Sequence, residues 1–229
     1  MAHRSSTLLR ASATLLLALL VAGCPQAPQA PASGGGGGAA PSAGGAGGGG
    51  GDGAEASGAI KVKTGDGKVS FRIKPAEGGW KISDEATKEL YRVKLEGQKV
   101  KVKDPQDKVV AYVNTDGTKF KVEDPDTRQE LFVLRPQADG DYKLETAQDE
   151  LVCKLKRRDY GWEAKDPSEA ELFKAKLKEG KSSVRDAQDR TLHSTKDPVK
   201  LVAFACLGLP RLSEPQRLGL LLLVEKTVK

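Results

Sequence analysis

The chain is short of the residues that most protein chemistry uses. It has 3 cysteines, 2 histidines, 2 tryptophans and 1 methionine among 229 residues. So few cysteines exclude a disulfide-dense mini-protein. A composition of 38% hydrophobic and 30% charged residues excludes a multi-span membrane protein and a chain disordered throughout. Motifs are missing as well. There is no Cys-x-x-Cys, no Gly-x-Ser-x-Gly, and no Gly-rich loop leading into a helix. His193 is the only histidine beyond the first ten residues, and no Cys or His stands at ligand spacing from it. Zinc and triad roles are therefore not expected. The sequence points to no catalytic residue, no metal and no cofactor, and the chain reads as non-enzymatic.

What is present is unevenly spread: 14 of the 26 glycines fall between Gly34 and Gly58. Ahead of them, residues 1–10 are short and basic, and residues 11–22 form an apolar run. That run is shorter than the roughly 20 residues a transmembrane helix needs, but it suits the h-region of a secretory signal. It ends in Leu20-Val21-Ala22-Gly23-Cys24, which resembles the lipobox of bacterial lipoproteins. The resemblance implies cleavage of residues 1–23, acylation of Cys24 and the lipid bilayer as a partner. Pro25, where an Asp would imply inner-membrane retention, implies by the same resemblance an outer-membrane lipoprotein of the cell envelope. Residues 24–58 contain, besides Cys24, Pro, Gln, Ala, Ser and Gly, with Asp52 and Glu55 as the only charges. No side chain there buries enough area to offset an ordering cost of about 1–2 kcal/mol per residue, so this segment is expected to be a disordered tether. A Gly-rich coil of that length spans roughly 30–35 Å.

Residues 59–229 carry 35 basic and 29 acidic side chains, the whole +6 excess. They also repeat. Trp80-Lys-Ile-Ser-Asp84, Val100-Lys-Val-Lys-Asp104, Phe120-Lys-Val-Glu-Asp124, Tyr142-Lys-Leu-Glu-Thr146, Trp162-Glu-Ala-Lys-Asp166 and Ser182-Ser-Val-Arg-Asp186 begin 20, 20, 22, 20 and 20 residues apart. Alternation of apolar and polar residues marks strands with one buried face. Asp-Pro pairs at 104, 124 and 166 suit type I turns, and second strands are expected over 90–96, 109–115, 131–137, 151–157 and 172–178. With an opening pair at 60–63 and 69–75, the pattern predicts an antiparallel meander of about 12 to 14 strands.

The C-terminus changes character. Asp197-Pro198 offers an N-cap and a first-turn proline, residues 199–209 are apolar on nearly every side, and Pro210 ends the run. Ser213 and Gln216 form a capping box for a second short helix over 218–224. A meander with one apolar face needs a cover, so the expected architecture is mainly β, a barrel closed around the hydrophobic C-terminal helix. The alternative is an open single-layer sheet with capping helices. The turn motif Lys103-Asp-Pro-Gln-Asp-Lys-Val-Val110 and the segment 197–209 resemble the tubby C-terminal-like superfamily, with its LURP-one-related and scramblase members, over about residues 59–210. That resemblance implies a twelve-stranded barrel pierced by a hydrophobic helix, and binding of anionic lipid headgroups.

Three residue sets are candidate sites. Alternation puts Cys153 on the inward face of its strand, and Cys206 lies on the apolar helix, so the two either bond as a disulfide or sit as separate buried thiols. The repeated aspartates at 84, 104, 124, 166 and 186 suit turn chemistry better than a cation site. Lys81, Lys99, Lys101, Lys103, Lys119, Lys121, Lys143 and Lys165 form either a solvated face interleaved with carboxylates or, if they align across strands, a basic wall for anionic lipids or envelope polymers. The aromatic residues lie on the apolar register, so nucleic acid is not an expected partner.

Overall fold

The computed structural model describes residues 58–228; the signal segment, Cys24 and nearly all of the expected tether lie outside the described residues. Fourteen strands follow one another: β1 (Ile60–Lys63), β2 (Val69–Ala76), β3 (Gly79–Ser83), β4 (Glu89–Glu96), β5 (Lys99–Lys103), β6 (Val109–Thr115), β7 (Phe120–Glu123), β8 (Glu130–Pro136), β9 (Tyr142–Thr146), β10 (Leu151–Arg158), β11 (Gly161–Lys165), β12 (Glu171–Lys178), β13 (Lys181–Asp186) and β14 (Thr191–Thr195). Each pairs antiparallel with its sequence neighbours, and β1 meets β14, so the meander closes into a barrel and the open sheet is excluded. Period-two alternation sets which side chains enter the lumen. In β5, Val100 and Val102 are fully buried between three lysines that stay at the surface.

The two rims differ. On one, which we call the Asp rim, an aspartate or threonine opens each hairpin turn, and in all but the first, opened by Thr64, its side chain takes amides of the turn. Asp104 Oδ1 accepts from the Gln106 and Lys108 N–H groups at 3.0 and 2.9 Å, and Asp166 Oδ1 from those of Ser168 and Ala170 at 2.8 and 2.9 Å. These carboxylates are occupied by their own loops. The residue two positions before each return strand is left-handed (Gly67, Thr87, Asp107, Arg128, Asp149, Glu169 and Asp189), and one bulge follows in each of the seven hairpins. A bulge increases local twist and bend, so seven of them on one rim supply the curvature that closes the sheet. The opposite rim, here the Gly rim, has tight loops that include two-residue connections between Ala76 and Gly79, Glu96 and Lys99, Arg158 and Gly161, and Lys178 and Lys181.

Two terminal helices fill the lumen. The first, α1 (Leu201–Ala205), continues as a 3-10 turn over Cys206–Gly208, and the second is α2 (Glu214–Thr227). The second helix, expected to be short and to cover 218–224, is the longer of the two. Leu218, Leu220, Leu221, Leu222, Leu223 and Val224 are all buried, because a helix enclosed by a barrel can bury every face. Gly219 faces the inward-pointing Val113, Val102 and Val100. The expected N-cap at Asp197 is also corrected. Lys200 precedes the first turn, while the Asp197 carboxylate takes the Lys61 backbone N–H at 2.5 Å. Pro198 lies outside the helix, so its fixed φ directs the approach to the lumen rather than the first turn. Lys200 joins the helices: its N–H donates to Glu225 Oε2 at 2.8 Å, and its ammonium donates to the carbonyls of Glu225, at 2.6 Å, and Val228. A cation at those carbonyls complements the negative end of α2. At the other end, the expected capping box is present, with the Ser213 N–H donating to Gln216 Oε1 at 2.8 Å. Among the described residues, no helix is long and apolar enough to cross a membrane.

Candidate functional site

Strand register decides which of the predicted lysines meet. Lys81, Lys101, Lys103 and Lys121 each reach a carboxylate, those of Glu89, Glu96, Asp107 and Glu130, at 2.8–3.2 Å. Exposed pairs of this kind contribute up to about 1 kcal/mol each and make a solvated, charge-balanced wall. Lys143 and Lys165 are placed differently. Arg135 lies opposite Lys143, Lys143 opposite Lys154, and Lys154 opposite Lys165, giving one row of cations across β8, β9, β10 and β11. Like charges directly opposite on a sheet are destabilising, so such a row has to be offset. Carboxylates from the Asp rim do so in part. Glu145 holds Arg135 at 2.7 Å, and Glu169 accepts from both Lys154 and Lys156 at 2.9 Å, which lowers its carboxyl to about 2. Lys143 and Lys165 have no carboxylate partner among the described residues.

A recess of about 480 Å³ borders the middle of this row and is lined by Lys143, Lys154, Lys156 and Arg158 together with Asp139 and Asp141. Past Tyr142 and Arg158 it runs into a second recess of about 590 Å³ on the Gly rim. There the lining becomes aromatic and aliphatic. Tyr142 meets Trp162 edge-on at 5.5 Å between centroids, and Lys176 stands 5.7 Å above the Tyr160 ring. Leu177 is 58% exposed and Tyr160 37% exposed, and the backbone N–H of Leu177 donates to the Tyr160 carbonyl at 3.4 Å. Leu192, on the outer face of β14, is the third exposed large apolar side chain among the described residues. Two of the three are therefore adjacent, beside Arg157, Arg158 and Lys176. Leu177 was legible as a strand residue, but its exposure was not, because β12 runs past the end of the lumen on this rim. Arg135 and Lys154 joined no predicted set, since cross-strand register is absent from a single sequence.

The other predicted residues lie elsewhere. Cys153 is on β10 and Cys206 opens the 3-10 turn; both are buried free thiols, and burial pushes each up to about 12, far from thiolate reactivity at neutral pH. Among the described residues, no cluster of three or more His, Cys, Asp or Glu is arranged to hold a metal ion. His193 points inward beside Phe71, with a centroid distance of 6.4 Å, and its Nδ1 is buried without a hydrogen-bond partner. Burial, and then the Arg217 guanidinium on α2, hold its pKa below the usual value. The unfolded chain therefore binds the proton more tightly, and folding stability falls as pH drops through the ordinary histidine range near 6.5. Urea unfolding between about pH 7.5 and 5.5 is expected to show a decline that His193→Gln removes. A decline unchanged in the variant would assign it to another group. Carboxylates with lowered pKa, such as Asp116 and Glu169 at about 2, lose their contribution only at more acid pH.

Comparison with protein-family models and with curated proteins finds no match. Among solved structures, an X-ray structure of a protein from Arabidopsis thaliana is similar with a TM-score of 0.36 and 15% identity, covering 66% of this chain and 88% of that one.

Proposed function

We propose that this protein is a lipid-anchored component of a bacterial cell envelope, whose barrel is a non-enzymatic binding module that rests its Gly rim on the bilayer. The lipobox-like residues 20–24 supply the anchor, with Cys24 as the acylated residue, and residues 24–58 supply the tether. The observation that carries the reading is positional. The chain enters the barrel at Ile60, on the same rim that exposes Tyr160 and Leu177. Aromatic and aliphatic side chains flanked by Arg and Lys suit the headgroup region, where one end of each side chain is wet and the other apolar. Anionic lipids add attraction of about 1 kcal/mol per basic residue near the surface. A tubby-like or scramblase-like recognition of anionic headgroups is the second reading. It is favoured by Lys143 and Lys165, which stand in the cation row without carboxylates of their own.

The test is vesicle flotation with the unacylated chain, residues 25–229. The barrel closes on itself and holds its core within residues 60–228, so this chain keeps every packed element. Binding to vesicles containing phosphatidylglycerol is expected, weakened at least tenfold by Leu177→Asp with Tyr160→Ser. Binding reduced equally by Lys143→Gln with Lys165→Gln would support the headgroup reading. Flotation that neither double variant changes would refute the assignment of this rim.

A further inference from the structure

The barrel closure is unlike its other strand pairings. β1 and β14 share a single register pair, Lys63 with Ser194, whereas the neighbouring hairpins share at least four. The two strands diverge toward the Gly rim, and Asp197 bridges the gap by accepting from the Lys61 N–H at 2.5 Å and from the Thr195 hydroxyl at 3.3 Å. At the Asp rim the gap is shut. Gly65 approaches β14 so closely that a Cβ there would lie 2.2 Å from the Thr191 carbonyl oxygen. Between these ends runs a groove of about 390 Å³.

Four lysines line it: Lys61 and Lys63 from β1, Lys181 from β13 and Lys196 just after β14. Lys63, Lys181 and Lys196 are exposed, and among the described residues none of the three reaches a carboxylate. Many lysines elsewhere on the barrel are matched at short range, as Lys121 is with Glu130 at 2.8 Å and Lys176 with Asp189 at 2.9 Å, whereas here three without a carboxylate line one groove. The acidic side chain in the groove is Asp197, and its Oδ2 is already committed to Lys61 and Thr195. Hydroxyls of Thr191 and Ser194 also line the groove, and no aromatic ring does. Lysines without carboxylates, brought from three segments to one groove that hydroxyl-bearing residues also line, call for a compact anion with several oxygens and more than one charge. A carboxylate has two oxygens and one charge. A phosphoryl group has three acceptor oxygens and about two charges.

We propose that the β1–β14 seam is a binding site for a phosphoryl group, gripped by Lys63, Lys181 and Lys196. The group belongs either to a lipid headgroup or to a soluble phosphate compound. The groove shares no lining residue with the recess that borders the basic row or with the apolar recess of the Gly rim, and it holds or fails independently of the function proposed above.

The experiment follows backbone amide resonances of the 25–229 chain during titration with pyrophosphate. Shifts are expected to concentrate in residues 61–65, 181–182 and 191–197. The triple variant Lys63→Gln, Lys181→Gln, Lys196→Gln is expected to bind at least tenfold more weakly with an unchanged thermal midpoint, because these side chains are exposed and unpaired. Vesicles of phosphatidic acid and of phosphatidylcholine identify the source. Displacement of pyrophosphate by the former alone assigns a headgroup, and no displacement assigns a soluble compound; both sustain the site. Shifts that appear elsewhere or nowhere, or a triple variant that binds like the parent, overturn it. The Lys143→Gln, Lys165→Gln variant should keep its pyrophosphate shifts, which separates this result from the flotation assay.

Discussion

Truncation after Pro210, which removes α2, is expected to abolish cooperative unfolding and leave a chain that binds hydrophobic dyes. The reason lies in what that helix covers. Six of its apolar side chains, from Leu218 to Val224, are buried against inward-facing residues of the barrel. Burying one such side chain contributes about 1.5–3 kcal/mol, so six of them match the whole stability of an ordinary domain, about 5–15 kcal/mol. Their loss also strips cover from Val100, Val102 and Val113, which are fully buried only because the helix is there. Near-ultraviolet circular dichroism together with a urea titration measures the effect. A truncated chain with a sigmoidal transition near the parent midpoint would show that the ribbon closes unaided.

Gly161→Val should destabilise the barrel by at least ~3 kcal/mol, the combined scale of backbone strain and overpacking. Gly161 opens β11 with φ +137°, a conformation that side chains rarely permit. There is no room either. A Cβ at this position would lie 2.3 Å from the Ala175 carbonyl oxygen and 2.5 Å from Leu201 Cδ2, so the β10–β11 hairpin would be pushed off both β12 and α1. Chemical denaturation of the variant against the parent measures the loss. Tyr160, one residue earlier, gives the contrasting case, since it is exposed and its replacement should leave stability nearly unchanged.

The sequence and the structure agree where the physics is local. Alternation in segments such as 100–104 and 162–166 placed the strands, the turn aspartates marked one rim, and Ser213 with Gln216 marked the start of α2. Disagreement begins where tertiary contacts choose between local options. Asp197 has the chemistry of an N-cap, but the gap beside β1 presents an unsatisfied N–H, and the carboxylate goes there instead. The apolar run at 199–209 reads as one helix, yet it turns tighter at Cys206 and stops, where Gly208 packs so closely against Phe173 that a Cβ would lie 2.9 Å from its ring. The candidate sites depended more heavily on register. Lys143 and Lys165 were singled out by residue type, but only strand pairing shows that they share a row with Arg135 and Lys154. The seam lysines come from opposite ends of the fold, about 120 residues or more apart in the chain, a juxtaposition that follows from closure.

Because every Asp-rim hairpin brings its own bulge, curvature is a local property that each twenty-residue unit carries with it. Excising or duplicating one unit would change the girth of the ring while leaving the bend per strand as it was. Nothing in the wall counts to fourteen. The size of the ring is set from within, by the volume of the two terminal helices, so a lineage that gained or lost a hairpin would have to resize its plug in step.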